Sequence, residues 1–88
     1  MKLHIDRRHI EAMMQAFPRL AFAREQLRFG NRVEIGFNQL EDGELDLLQS
    51  LYAAGDSELR ARAAQIATLR QALREGGKRF EADELEMA

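Results

Sequence analysis

Apolar residues in this 88-residue chain recur at helical spacing in successive blocks, and a proline or glycine stops each block. Ile10, Met13, Met14 and Phe17 fall at i, i+3, i+4 and i+7, which places them on one face of a helix. Asp6 stands where a carboxylate can accept the free amides of that helix's first turn. Pro18 follows the stripe at once. Its ring crowds the preceding turn and it has no N–H to donate, so the first helix is predicted to end or kink near Ala16. Leu20, Ala23 and Leu27 form a second stripe, with Phe22 and Phe29 on an adjacent face. Gly30-Asn31 closes it, because both residues tolerate the left-handed conformation that ends helices. Residues 6–29 are either two helices meeting at Pro18 or one kinked helix.

Two more helices follow. Asn38 with Glu41 has the spacing of a capping box, and Asp42 is a competing cap just inside. Leu45, Leu48, Leu51 and Tyr52 then form an apolar face that runs to Gly55. Asp56-Ser57 caps the fourth and longest helix, from about Ser57 to Glu75. Its buried stripe is predicted to be Leu59, Ala63, Ile66, Leu69 and Leu73, and Gly76-Gly77 stops it. Spacings of seven run from Leu45 through Tyr52, Leu59, Ile66, Leu73 and Phe80 to Met87. The companion positions include Gly55, Arg62, Gly76 and Asp83, so no continuous coiled-coil seam forms.

One segment breaks the helical rule. Val33, Ile35 and Phe37 alternate with polar residues or glycine, a period of two. A lone strand is not stable, and residues 2–5, with Leu3 and Ile5, are the only other candidate. The competing reading is an extended linker whose three apolar side chains cover the helices. The expected fold is therefore a mainly all-α domain of about four helices, with or without a two-stranded β element over 2–5 and 33–37. One domain is expected over residues 1–88, with an acidic tail at 80–88 that forms a last turn or frays.

Hydrophobic residues make up 45 % of the chain, enough for a modest core at this length. With no cysteine there is no disulfide framework and no thiolate metal site. No signal peptide and no run of about twenty apolar residues is visible, which points to the cytoplasm. The abundant arginine and scarce lysine fit a GC-rich coding genome, bacterial or phage. Net charge is −2, so nothing pulls the whole molecule toward nucleic acid. The charge is blocky, with basic stretches at 1–32 and 56–79 and acidic ones at 33–55 and 80–88.

No constellation carries chemistry. His4 and His9 lie five apart across a helix start, a spacing that does not bring two ligands to one ion, and both read as surface histidines. Ser50, Ser57 and Thr68 sit in no nucleophile motif. Glu41, Asp42, Glu44 and Asp46 crowd a helix start, where the helix dipole favours carboxylates. No catalytic residue, metal or cofactor is expected. Residues 40–48, followed by Gly55-Asp56-Ser57, resemble the opening helix of the helix-turn-helix domains of LuxR-type regulators and sigma factors. The resemblance covers about a fifth of the chain. It stops where a tight turn should come, because residues 57–75 run on without a turn residue.

The function expected is that of a non-catalytic protein-binding module: a small adaptor, chaperone, antiactivator or inhibitor whose partner is another protein or a second copy of itself. The first half of the chain holds more large apolar groups than one helical face requires. Met13, Met14, Phe29, Val33, Ile35 and Phe37 are the partner-binding candidates, the last three through a strand edge as well. The alternative is a DNA- or RNA-binding regulator that meets phosphate through Arg60, Arg62, Arg70 and Arg74 on the fourth helix.

Overall fold

The two short apolar segments at 2–5 and 33–37 do pair. In the computed structural model, which describes residues 1–76, strand β1 (Lys2–Asp6) runs antiparallel to β2 (Arg32–Gly36). Leu3 faces Ile35 and Ile5 faces Val33. The alternation of period two buries these four residues on one face, while Lys2, His4, Arg32 and Glu34 stay in solvent. Backbone bonds from Arg7 N–H to the Asn31 carbonyl (2.8 Å) and from Phe37 N–H to the Met1 carbonyl (2.9 Å) extend the ladder at both ends. Phe37 itself opens a 3-10 turn, Phe37–Gln39, rather than ending the strand.

The chain leaves β1 directly into helix α1 (Arg7–Ala16), with Asp6 at its N-cap position. The Asp6 side chain makes no capping hydrogen bond and instead faces Arg32 at 3.6 Å. Pro18 separates two elements. The segment Pro18–Arg28 winds as a 3-10 helix, so residues 6–29 are not one kinked α-helix. With three residues per turn, Leu20, Ala23 and Gln26 fall in one row. Leu20 and Ala23 enter the core, and Gln26 lands beside β2. In the turn after it, Gly30 lies outside the left-handed region and a Cβ there would meet nothing. Arg7 holds the turn instead. Its guanidinium donates to the carbonyls of Leu27 (2.7 Å) and Gly30 (3.2 Å) and to the Asn31 side chain (3.1 Å).

Helix α2 (Asp42–Ala53) starts later than Asn38, with Glu41 at its N-cap. The box residue is Glu44, whose carboxylate accepts the Glu41 N–H at 2.7 Å. Helix α3 (Ser57–Gly76) returns antiparallel to α2 after a short turn in which Asp56 Oδ1 caps the Leu59 N–H at 3.0 Å. Arg70 ties the far ends together, donating to Asp46 (2.7 Å) and to Gln49. A single core joins the layers: Ile5 and Ile35 from the sheet, Ile10 and Met13 from α1, Leu20, Phe37 and Leu40, Leu45 and Leu48 from α2, Ile66 from α3. The structure is thus mostly helical, with one short antiparallel sheet. The acidic tail expected at 80–88 lies outside the described residues, and no helix among them is long and apolar enough to cross a membrane.

Candidate functional site

Five of the six partner-binding candidates are core. Met13, Val33, Ile35 and Phe37 are at most 1 % exposed and Met14 is buried. The apolar surplus of the first half is absorbed by three elements that converge on one interior: the sheet, α1 and the 3-10 helix. A surplus counted against a single helical face had no way to see the other two. Phe29 is the exception. It is 88 % exposed, and Phe22 is 49 % exposed; no other large apolar side chain among the described residues is so open to water.

Charged side chains surround Phe22: Arg24, Glu25 and Arg28. Phe22, Glu25 and Arg28 stack at i, i+3, i+6 on the outward row of the 3-10 helix. Arg28 pairs with Glu25 at 2.8 Å. Arg24 is exposed and has no ion-pair partner among the described residues. A shallow depression of about 440 Å³ lies between Phe22, Arg24 and Arg28. A second, of about 460 Å³, runs from Arg24 and Arg28 across to Arg7 and Glu11 of α1. Phe29 itself sits on the turn that Arg7 pins at three points.

The expected edge of β2 is closed. In the register observed, Glu34 and Gly36 turn their backbone groups away from β1. The Gln26 carboxamide meets both groups of Glu34, accepting its N–H at 2.8 Å and donating to its carbonyl at 3.0 Å. The Gln39 side chain accepts the Gly36 N–H at 2.6 Å. Two glutamine side chains therefore occupy positions a neighbouring strand would take. Nothing in the strand's own sequence signals this, because the sealing residues lie on two other elements.

The four arginines of α3 do not act as one surface. Arg70 is 12 % exposed and is held by Asp46, Gln49 and Asp42. Arg62 faces Glu58 at 3.5 Å and approaches the Tyr52 hydroxyl. Arg60 and Arg74 are exposed but stand fourteen residues apart, roughly 21 Å along a helix.

Both histidines were expected at the surface, and only His4 is there. His9 is buried against Tyr52, the rings edge to face at 5.2 Å, with its Nδ1 unpartnered. Burial, with Arg8 and Arg62 nearby, pushes its pKa below the ordinary histidine value, and Asp6 opposes the shift. Burial likewise raises the Tyr52 hydroxyl, against the pull of Arg62. The carboxylates at the start of α2 also divide. Glu44 is 1 % exposed and takes the Arg19 guanidinium on both oxygens. Among the described residues no three His, Asp or Glu side chains converge as metal ligands would. Comparison with protein-family models, with curated proteins and with solved structures gives no match.

Proposed function

We propose that the chain is a non-catalytic protein-binding module and that Phe29 is the anchor of its contact with another protein. The observation that carries this reading is an 88 % exposed phenylalanine on a turn fixed by three hydrogen bonds from one arginine. Exposed apolar area costs about 25 cal/mol per Å² in water, and an aromatic ring is the side chain that gains most from a partner's pocket. A pinned turn loses little further entropy when it docks. Arg24 and Arg28 supply a polar rim suited to carboxylates of that partner.

The test is photo-crosslinking in the native cell from benzoyl-phenylalanine at position 29, with position 60 on α3 as control. The expected product is one discrete protein adduct from position 29 and none from position 60. An adduct to nucleic acid from position 60 would instead favour the regulator reading, in which Arg60 and Arg74 meet phosphate. No adduct from position 29 would sink the proposal.

A further inference from the structure

Helix α1 and the 3-10 helix Pro18–Arg28 border a common groove of about 460 Å³. Met14 and Leu27, both buried, give it an apolar base. Arg7 and Glu11 line it from α1, Arg24 and Arg28 from the 3-10 helix. The groove adjoins the turn that carries Phe29. Leu27 and Arg28 immediately precede that ring in the chain, and Arg7 holds the Leu27 and Gly30 carbonyls on either side of it.

Ion pairing leaves positive charge in this groove. Arg28 is matched by Glu25 at 2.8 Å. Among the described residues Arg7, Arg24 and Glu11 belong to no ion pair. Setting Glu11 against one of the two arginines leaves one guanidinium over. Arg7 uses Nε and Nη2 on neutral acceptors, the Asn31 side chain and the Leu27 and Gly30 carbonyls. Its Nη1 has no acceptor among the described residues, and the three bonds fix the plane of the group. A donor already held in place loses little freedom when an acceptor arrives. Guanidinium bonds to a carboxylate are also stronger than bonds between neutral groups.

We infer, building on the Phe29 contact, that the same partner sets a carboxylate side chain in this groove, against Arg7 and Arg24. The partner surface is then acidic beside the apolar hollow that takes the ring. Charge decides against a second copy of this chain in that place. A second copy brings the same surplus positive charge to the contact, whereas an acidic surface cancels it. Glu11 opposes the incoming acid. It therefore gives the site a signature that a general attraction to basic residues on another surface lacks: loss of Arg24 weakens binding and loss of Glu11 tightens it.

The experiment is an NMR titration of the full chain, read at the amides and at the arginine Nε–H groups, with three capped hexapeptides: alternating Glu-Leu, Gln-Leu and Lys-Leu. Shifts at Arg7, Glu11, Arg24 and Leu27 are expected with the Glu-Leu peptide alone, and added salt should reduce the affinity. Arg24→Gln should weaken that binding about tenfold, and Glu11→Gln should tighten it about threefold. Both side chains are exposed and unpaired, so the far-ultraviolet spectrum should not change. Arg60→Gln on α3 is the control and should leave the titration unaltered. So should Phe29→Ser, which tells the two contacts apart. A groove that binds Glu-Leu while position 29 gives no crosslink would sink the ring contact and keep the acid site. A crosslink from position 29 with no Glu-Leu binding would do the reverse. Equal binding of Gln-Leu or Lys-Leu, parent-like binding by Arg24→Gln, or weaker binding by Glu11→Gln would overturn the inference. So would a concentration-dependent dimer that shifts the same residues with no peptide present, which would put a second copy in the groove.

Discussion

A carboxylate at 1 % exposure needs a cation, and Glu44 takes Arg19 from twenty-five residues away. The pair does more than neutralise charge. Arg19 also donates to the Gln39 carbonyl at 2.7 Å, and Glu44 accepts the Glu41 N–H, so one ion pair joins the 3-10 helix to the start of α2. Removing the cation strands a buried charge, which is costlier than removing both partners. Arg19→Met should therefore lower the thermal midpoint more than Arg24→Met, and adding Glu44→Leu should recover part of the loss. Equal midpoints for the two arginine variants would mean Glu44 is adequately solvated. His9 makes a second prediction. Its pKa is lowered in the folded chain, so the folded state binds fewer protons than the unfolded state in the window between the two values. Stability is then fully present above the ordinary value of 6.5 and lost as pH falls below it toward the lowered value. Urea midpoints measured from pH 7.5 to 5 should fall across that window, and His9→Phe should flatten this part of the profile. Gly30 gives the third. Its backbone is not left-handed and a Cβ there meets nothing. Gly30→Ala should be neutral or stabilise by up to about 1 kcal/mol, through the unfolded chain. A loss of stability would show that the turn needs glycine after all.

At the scale of elements, side chains do work that strand sequence does not announce. Gln26 presents a carboxamide, the same donor and acceptor as a peptide unit, to both backbone groups of Glu34. Gln26→Glu keeps the acceptor and loses the donor, leaving a carboxylate facing a carbonyl. It should cost about 1–3 kcal/mol by chemical denaturation and raise association at high concentration, since an opened edge invites pairing. A parent-like midpoint and sedimentation profile would show the seal to be dispensable. The same example marks where sequence reading works and where it stops. The candidate partner of 33–37 was legible, because period two left 2–5 as the one segment able to pair with it, but an extended linker fitted the same residues and only the structure shows the ladder. The end of α1 at Ala16 followed from Pro18, and the Asp56 cap from its side-chain chemistry. The 3-10 winding of Pro18–Arg28 was not legible, because Leu20, Ala23 and Leu27 suit an α-helix stripe equally well. The N-cap of α2 lies three residues beyond Asn38 and one before the competing Asp42, because Asn38 and Glu41 mimic a cap whose true acid, Glu44, is held by Arg19 from another element. The candidate surface was legible only at Phe29. Whether an apolar side chain is surplus depends on how many elements share the core, and that is a tertiary fact.

Over the whole molecule, one core serves every element, and the chain carries its own reporter of it. Tyr52 is the sole tyrosine and there is no tryptophan. It stands on α2, packs edge to face on His9 of α1, approaches Arg62 of α3, and lines a groove beside β1. A single residue touching three helices and the sheet edge loses its environment when any of them departs. If the domain unfolds as a unit, the near-ultraviolet signal of Tyr52 and the far-ultraviolet helical signal must report the same transition. Substitutions in distant layers must then shift both probes together. Ile5 in the sheet, Leu48 at the centre of α2 and Ile66 of α3 are all at most 2 % exposed within the one cluster. Ile5→Ala, Leu48→Ala and Ile66→Ala should each cost ~2–4 kcal/mol by leaving a cavity that close-packed neighbours fill only in part. Each should move the two signals by the same amount in thermal and urea melts. A variant such as Ile5→Ala that released the Tyr52 signal early, while the helical signal held, would show the sheet to be a separate unit laid on a helical pair.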